Sequence, residues 1–269
     1  MKKLLTFAAF STAILCSCGQ QASQQAETAA PAESTVEATA GINELTAQEK
    51  AEGWQLLFDG KTTKGWRGAH KETFPDKGWE IKDGVLTVLP ADGGESTNGG
   101  DIVTEGVYSA FELSVDFQIT PGANSGIKYF VTEQEKQKGS AYGLEFQILD
   151  DALHPDAKLY TTYPGSRTLA SLYDLIKIEN VQFKGVGEWN TAVVKVFPNN
   201  HVEHWLNGVK VLEYERASDA FRELVKGSKY ADPAYNDPMA FGEAPEGHIL
   251  LQDHGNKVSF RNIKIRELK

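Results

Sequence analysis

Cysteine is almost absent from this sequence, and that absence limits its chemistry. Cys16 and Cys18 are the two cysteines of the 269-residue chain. The chain after residue 18 therefore offers neither a disulfide nor a thiol nucleophile. A hydrophobic core must hold the fold, and a domain of about 220 residues is large enough to bury one. Long apolar runs are also missing beyond residue 15, where no stretch approaches the ~20 residues that span a bilayer.

Positive charge is scarce as well. The chain carries 27 Lys and Arg residues against 37 Asp and Glu residues, a formal net charge of −10. Because nucleic-acid binding requires a basic face, we expect no nucleic-acid partner. There is also no Gly-rich phosphate loop, no His-x-x-x-His pair and no Gly-x-Ser-x-Gly turn, so nucleotide, zinc-protease and serine-hydrolase functions lack support. Neutral sugars remain compatible with an acidic surface.

The amino terminus has the pattern of a bacterial lipoprotein signal. Two lysines follow Met1, and an apolar stretch runs from Leu4 to Leu15. Leu15 lies three residues before Cys18 and Ser17 directly before it, as a lipobox requires. We therefore predict a signal peptide at residues 1–17 and lipidation of Cys18, with the protein anchored in the cell envelope, on the periplasmic side of the outer membrane. The polar, Pro-containing residues 18–46 predict a flexible tether.

Residues 47–269 alternate between apolar and polar positions and are interrupted by Gly, Asn, Asp and Pro, which predicts one all-β domain. So many strands without βαβ alternation favour a two-sheet jelly-roll sandwich of the lectin/glucanase type. One short helix is predicted at Ser218–Lys229. The predicted strands are Trp79–Lys82, Val85–Leu89, Tyr108–Thr120, Ser125–Thr132, Tyr142–Leu149, Leu169–Leu175, Trp189–Phe197, His201–Leu206, Val209–Tyr214, His248–Asp253 and Val258–Arg266.

Large polar groups inside several of these strands predict a ligand-binding face. In Tyr142–Leu149, residues of one parity are apolar, so Glu145 and Gln147 project from the other side. Carboxylates and amides beside aromatic rings suit a sugar, whose hydroxyls pair with them while its CH faces stack on the rings. By the same reasoning the remaining candidates are Lys128, Asp150, His204, Gln252, His254 and Arg261.

A divalent ion is an alternative for one loop. Asp150, Asp151, His154 and Asp156 could supply oxygen and nitrogen ligands. Acidic turns are commoner than ion sites, so we expect no cofactor and assign no metal ligand.

An ordered set of motifs between Trp54 and Leu268 resembles the 3-keto-disaccharide hydrolase family. The motifs are Trp54-Gln55-Leu56-Leu57-Phe58-Asp59-Gly60 with Gly65-Trp66, Asn124-Ser125-Gly126-Ile127, Tyr142-Gly143-Leu144-Glu145-Phe146-Gln147-Ile148-Leu149-Asp150, Glu188-Trp189-Asn190, His204-Trp205-Leu206-Asn207-Gly208, Leu251-Gln252-Asp253-His254-Gly255 and Phe260-Arg261-Asn262-Ile263. The resemblance implies a concanavalin A-like sandwich with a sugar-binding concave face. It also implies cleavage of glycosides that have been oxidised at C3.

A ketone at C3 acidifies the proton on C2, so a base can start an elimination that releases the leaving group from C1. We expect Glu145 or His254 to be this base. Lys128, Gln147, Gln252 or Arg261 would then hold the ketone and hydroxyls, with Asp150 and His204 as further sugar contacts.

Two other functions stay open at this point. Glucanases of similar fold carry several carboxylates on one strand, whereas this chain has Gln147 at the helper position, so a retaining mechanism on this strand lacks a partner. A conventional glycoside hydrolase would need its second carboxylate from another strand. A carbohydrate-binding lipoprotein without catalysis is the third possibility, because fold does not fix function.

Overall fold

A computed structural model describes residues 40–91, 94–133, 141–236 and 239–269. The predicted signal peptide, Cys18 and the tether up to residue 39 lie outside the described residues, so the anchor stays a prediction. No helix among the described residues has the length and apolar character needed to cross a membrane.

Within the described residues, thirteen strands form two antiparallel sheets, as the alternating pattern predicts. The strands are β1 (Gln55–Leu56), β2 (Trp66–Gly68), β3 (Trp79–Lys82), β4 (Val85–Val88), β5 (Ile102–Thr104), β6 (Phe111–Ile119), β7 (Asn124–Thr132), β8 (Tyr142–Leu149), β9 (Asn190–Val196), β10 (His201–Leu206), β11 (Val209–Glu215), β12 (His248–Leu251) and β13 (Val258–Glu267). One sheet has the order β11-β10-β9-β6-β13-β4-β3, with β1 also paired to β13. The other has the order β2-β5-β12-β7-β8. The predicted two-sheet jelly-roll sandwich is confirmed.

In the part of the chain that the structure describes, helix is confined to short segments. The predicted helix is confirmed as α2 (Asp219–Gly227), which begins after Ser218, whose hydroxyl accepts from the Phe221 amide. A second helix, α1 (Ala47–Ala51), has a capping box on Thr46 and was missed because a single turn has no periodicity to detect. Short 3₁₀ turns lie at Pro155–Lys158, Lys229–Ala231 and Pro233–Tyr235.

Turn chemistry sets the hairpins. Asp83 and Gly84 join β3 to β4 with φ angles of 51° and 78°, which only a turn-forming pair such as Asp-Gly adopts readily. Asn207 and Gly208 do the same between β10 and β11, at 51° and 82°. The predicted strand Leu169–Leu175 is wrong. It is a series of turns with isolated bridges beside β8, because two of its residues have positive φ angles that interrupt pairing.

The core lies between the two sheets. Burial alternates along β9, as expected when one face meets solvent, whereas β8 is buried on both faces after its first residue. The buried outer face of β8 indicates that loops cover this side of the five-stranded sheet. Among the fully buried side chains are Phe117, Phe146 and Phe260, each contributing about 1.5–3 kcal/mol of transfer free energy.

The folded domain includes residues before the predicted boundary at residue 47. The amide of Asn43 donates to the side chain of Asn262 at 2.7 Å, and the Asn262 amide donates back to Asn43 at 2.8 Å. The Asn43 side chain also donates to the Gly84 carbonyl at 2.7 Å. The last residues of the predicted tether are therefore fixed to the domain by paired amides.

Candidate active site

A cavity of about 200 Å³ lies on the outer face of the five-stranded sheet. Strands β7, β8 and the end of β12 form its floor, and loops at 95, 173 and 229–235 form its walls. Its lining residues are Glu95, Asn124, Lys128, Tyr142, Gly143, Glu145, Gln147, Tyr173, Lys229, Tyr230, Tyr235, Gln252 and His254. Amides, amines, carboxylates and tyrosines dominate this lining, which suits a ligand rich in hydroxyl groups.

The register of two strands brings the floor residues together. Lys128 of β7 pairs directly with Glu145 of β8, and Gly126 pairs with Gln147. Side chains opposite each other on one face of a sheet lie in contact range. A Cβ atom on Gly126 would overlap the carboxylate of Glu145. The missing side chain at Gly126 therefore makes the space in which Glu145 lies.

Charge on the floor is concentrated around Lys128. Its Nζ lies 3.7 Å from Oδ2 of Asp101 and 3.8 Å from Oε1 of Glu95, which is exposed at the rim. Burial raises the pKa of Asp101 to about 7. Burial alone would lower the pKa of Lys128, but the carboxylates of Asp101, Glu145 and Glu95 together raise it. The lysine thus stays positively charged beside its acidic neighbours.

Burial has the larger effect on the carboxyl group of Glu145. Only 5 % of this residue is exposed, and burial raises its pKa despite the opposing effect of Lys128 and Lys229. Its carboxylate accepts no hydrogen bond from the residues that the structure describes, which leaves it available to a ligand. A carboxylate with a raised pKa is a stronger base than one in water.

Lys229 forms one wall of the cavity. Its Nζ lies 4.4 Å from the ring centre of Tyr173 and 5.1 Å from that of Tyr230, as cation–π contacts require. Burial lowers the pKa of Lys229, and Glu145 only partly offsets this. The Tyr173 hydroxyl donates to Asp156 at 2.8 Å, which fixes the ring.

Three buried polar atoms among the lining residues have no partner in the described structure. They are Oδ1 of Asn124, Oε1 of Gln252 and Nδ1 of His254. A buried polar atom without a hydrogen bond costs about 1–3 kcal/mol, so such atoms are rare unless something else satisfies them. Their position in one cavity indicates a site for a polar ligand.

Most of the residues predicted from the sequence line this cavity. Lys128, Glu145, Gln147, Gln252 and His254 all do so. Gln252 donates from Nε2 to Glu95 at 3.1 Å, and the Gln147 side chain accepts from the Ile148 amide at 3.1 Å. The catalytic and binding roles assigned to these five remain predictions.

Three predicted sugar-binding residues lie elsewhere. Asp150 accepts from the Gly122 and Ala152 amides at 2.7 and 3.1 Å, and so stabilises a turn. Arg261 lies on the other sheet, stacked 4.0 Å from the ring centre of Trp189. We correct both placements: backbone amides already bind the Asp150 carboxylate, and strand parity cannot tell which sheet Arg261 belongs to.

His204 is also misplaced by the sequence interpretation. It is fully buried between the sheets, where Nδ1 donates to the Ala170 carbonyl at 3.0 Å and Nε2 accepts from the Tyr129 hydroxyl at 2.7 Å. Burial lowers its pKa to about 4, which keeps the ring neutral. Val202 and Leu206 share its parity on β10, so the pattern itself assigns this face to the core.

Among the described residues, the side chains of the acidic loop form no cluster with the spacing of a metal site. Asp151 accepts from the Leu169 amide at 2.8 Å, and His154 Nδ1 accepts from the Asp156 amide at 3.2 Å. Asp156 itself binds Arg167 at 3.0 Å. These side chains, with Asp150, are taken up by separate partners within the chain, and the alternative of a divalent ion here is not supported.

A different group among the described residues does have the spacing of a metal site. His201, Glu203 and Glu213 lie together on the eight-stranded sheet. Lys210 donates to both carboxylates there, at 3.2 and 2.5 Å. This ammonium already provides the positive charge that an ion would bring.

The residues that the sequence missed come mainly from loops. Glu95, Tyr230 and Tyr235 lie outside every predicted element. Lys229 ends the predicted helix and Tyr173 lies in the wrongly predicted strand, so no pattern indicated that either faces a cavity. Asn124 begins β7 inside a motif already singled out. Tyr142 was assigned to the core side but lines the cavity, because the β7–β8 register shifts between Tyr129 and Thr132.

Comparison with known proteins places this chain in a family. Residues 53–266 match the family model described as a 3-keto-alpha-glucoside-1,2-lyase-like domain. A 3-keto-disaccharide hydrolase of Bacteroides thetaiotaomicron is 36% identical over 247 residues, which cover 85% of this chain and 83% of the relative.

Solved structures agree with this result. A protein of Parabacteroides distasonis, assigned provisionally to the glycosyl hydrolases, has a TM-score of 0.72 and 32% identity, covering 85% of this chain and 100% of its own. A second protein from that organism, with the same provisional assignment, has a TM-score of 0.58 and 28% identity, covering 80% of this chain and 99% of its own. The resemblance found in the motifs is confirmed, and the chain belongs to the family of 3-keto-alpha-glucoside-1,2-lyase-like domains.

Proposed function

We propose that this protein is an enzyme that cleaves the glycosidic bond of 3-keto-glycosides by elimination followed by hydration. The observation that carries the proposal is the environment of Glu145: a buried carboxylate with a raised pKa, in a polar cavity that Lys128 and Lys229 also line. A base beside positive charge is what proton removal next to a ketone requires. The names of the family and of its Bacteroides relative support the same substrate class.

The reaction begins with removal of a proton from carbon. Glu145 takes the proton from C2 of the keto-sugar, and the electrons of that bond move toward the C3 ketone to give an enolate. The Lys128 ammonium, paired with Glu145 across the sheet, stabilises the enolate oxygen. Asn124, Gln252 and His254 supply the partnerless buried atoms that pair with the sugar hydroxyls.

The leaving group departs in the second step. The enolate collapses back to the ketone, a C1–C2 double bond forms and the C1–O bond breaks. Lys229, whose pKa is lowered by burial, gives a proton to the departing oxygen. Water then adds across the double bond, hydroxyl to C1 and hydrogen to C2, so the net reaction is hydrolysis to 3-ketoglucose.

Glu95 favours a second candidate function. It lines the same cavity as Glu145, and Lys128, Lys229 and His254 lower its pKa against the effect of burial. Two carboxyl groups whose pKa values are shifted in opposite directions suit a conventional glycoside hydrolase. Such an enzyme would cleave the sugar without an oxidised C3.

Deuterium incorporation separates these functions. The purified protein is incubated in D₂O with 3-keto-trehalose and, separately, with unoxidised trehalose. Elimination predicts cleavage of the oxidised sugar alone, with deuterium at C2 of the released 3-ketoglucose. Free 3-ketoglucose kept in D₂O for the same time corrects for spontaneous exchange. Cleavage of trehalose itself would favour the conventional hydrolase, and binding without any product would identify a carbohydrate-binding protein.

We also propose that the protein is a lipoprotein of the outer membrane, anchored through Cys18 and facing the periplasm. The short basic start, the apolar stretch up to Leu15 and the spacing of Leu15 and Ser17 before Cys18 support this. Cys18→Ala should abolish incorporation of labelled fatty acid and move the protein from the membrane fraction to the soluble fraction. Cys16→Ala is the matched control and should change neither result.

A further inference from the structure

The proposed cavity has room for one sugar ring. Its volume of about 200 Å³ is far above the ~10–15 Å³ that a cavity needs to hold one water molecule. Tyr173, Lys229 and Tyr230 form one of its walls. A disaccharide bound with its oxidised ring here must place the second ring outside, next to one of the cavity's walls.

Two depressions in the described structure share lining residues with this cavity. One adjoins Tyr142, Gly143 and Tyr235, and its volume is about 10 Å³, enough for one water molecule at most. The other, which we call the outer groove, lies between residues 160–162 and 227–229 and shares Lys229 with the cavity. The outer groove measures about 580 Å³, which is ample for a sugar ring.

The outer groove carries groups that suit a sugar. The Tyr160 side chain is 96% exposed, and it forms no ring contact in the described structure. Arg167 is held rigidly, with Nε donating to Asp174 at 2.7 Å and Nη1 to Asp156 at 3.0 Å. Among the described residues its Nη2 has no hydrogen-bond partner, so it can donate to a ligand hydroxyl. An exposed ring beside a fixed donor is a common arrangement for binding one face of a pyranose.

We propose that the outer groove is the leaving-group subsite and takes a second hexose ring, which stacks on Tyr160. This inference rests on the proposed function, because it assigns a place to the sugar that the elimination releases. Lys229 borders both the cavity and the outer groove. It therefore lies where the bridging oxygen of a disaccharide would pass from one subsite to the other, as its role as proton donor requires.

The test compares two substrates of the full-length protein. 3-Keto-trehalose has a second ring, whereas methyl 3-keto-α-glucoside has a methyl group in its place. Tyr160→Ala should lower kcat/KM for 3-keto-trehalose about tenfold, the loss of one stacking contact, and leave the methyl glycoside unchanged. Tyr160→Phe keeps the ring and should keep both activities. Leu153→Ala, another exposed apolar side chain (62% exposed), is the matched control.

The outcomes are distinct. A selective loss in Tyr160→Ala, with activity retained in Tyr160→Phe, supports the subsite. Equal activity of the Tyr160→Ala and wild-type proteins on the disaccharide overturns it, and so does an equal loss on both substrates. Turnover of the methyl glycoside by the wild type shows that the proposed function holds even where the subsite fails. A wild type inactive on both substrates overturns the two together.

Discussion

Oδ2 of Asp101 lies 3.7 Å from Nζ of Lys128, beneath the floor of the cavity. The carboxyl group is fully buried, its Oδ1 accepts from the Asp253 amide at 2.9 Å, and its Oδ2 has no hydrogen-bond donor in the described structure. Lys128 is therefore the main group that makes an ionised Asp101 tolerable there. In return, Asp101 helps to keep charged the lysine that we propose as the enolate's partner.

Asp101→Asn should change how stability depends on pH. The pKa of Asp101 is about 7 in the folded protein against an ordinary 3.8, so the folded state holds this proton more tightly than the unfolded state. The contribution of the protonated Asp101 to stability is full below about pH 4 and is lost as the pH rises to about 7. As the pH rises through this range, the free energy of unfolding of the variant should therefore increase relative to that of the wild type by on the order of a few kcal/mol.

Urea unfolding at several pH values checks this prediction. Ser96→Ala, which removes a 3.2 Å hydrogen bond to Asp101 but keeps the carboxyl group, should retain the wild-type slope. A difference between Asp101→Asn and wild type that does not vary with pH would rule out titration of this group.

Glu145→Gln should stop turnover while leaving binding intact. Loss of a general base costs about 10²–10⁴-fold, and the amide keeps the size of the side chain. We expect kcat on 3-keto-trehalose to fall by at least 10²-fold, with Kd by calorimetry changed only a few-fold. Glu213→Gln, an exposed position on the other sheet, is the matched control. Activity within tenfold of wild type would exclude Glu145 as the base.

Gly126→Ala should slow proton removal by Glu145 although it replaces no functional group. The new methyl group would overlap the Glu145 carboxylate and displace it. A misplacement of about 1 Å can cost roughly 10²-fold in rate, so kcat should fall while the circular dichroism spectrum stays unchanged. Gly106→Ala, whose nearest neighbour is the Tyr108 hydroxyl at 3.1 Å, should stay close to wild type. Full activity in Gly126→Ala would mean that Glu145 works from another position.

Lys229→Met should reveal whether this lysine protonates the leaving group. A p-nitrophenolate leaving group departs without a proton, whereas the second sugar of a disaccharide needs one. The variant should therefore lose at least 10²-fold on 3-keto-trehalose and much less on p-nitrophenyl 3-keto-α-glucoside. Lys226→Met, on the exposed face of α2, controls for loss of charge. Equal losses on the two substrates would assign Lys229 to binding instead.

His204→Gln should weaken the core and change its response to acid. The pKa of His204 is about 4 in the folded protein against an ordinary 6.5, so its contribution is present above pH 6.5 and lost as the pH falls to about 4. The variant should lack this decline in the free energy of unfolding as the pH falls. At pH 7 it should unfold about 1–3 kcal/mol more easily, because hydrogen bonds to Ala170 and Tyr129 are disturbed.

The surface residue His201 provides the contrast. Glu215 raises the pKa of His201, so the contribution of His201 to stability is present at low pH and is lost as the pH rises. His201→Gln should remove this dependence, which is opposite in sign to that of His204. A His204→Gln protein that declines between pH 6.5 and 4 as steeply as wild type would contradict the assignment to His204.

Strand alternation allowed most strands and the floor of the cavity to be predicted from the sequence. Because this alternation has a period of two, Glu145 and Gln147 could be placed together on an outward face from the order of residues alone. That reasoning says which residues share a face, but not which face is core and which is cavity. It also does not say which sheet a residue belongs to, and Arg261 was misplaced for this reason. His204 was misplaced although it shares its parity with the buried Val202 and Leu206.

The walls of the cavity could not be predicted in the same way. Tyr173 lies in a series of turns and Lys229 begins a short 3₁₀ turn, and their positions depend on long-range contacts. The Lys229 amide donates to Asp174 at 2.7 Å, across 55 positions in the chain. No local pattern carries such information, whereas the ordered motifs of the family carried the function as a whole.

The segment that replaces the predicted strand at Leu169–Leu175 protects the edge of the sheet. The Gln147 amide of β8 donates to the Ser171 carbonyl at 3.2 Å, and the Gln147 carbonyl accepts from the Ala170 amide at 2.8 Å. The Tyr173 amide donates to the Glu145 carbonyl at 3.1 Å. An open edge strand invites pairing with another chain and aggregation. Because Tyr173 belongs to both this cover and the cavity wall, substitutions that loosen the segment would make the protein self-associate and lose its binding site at the same time.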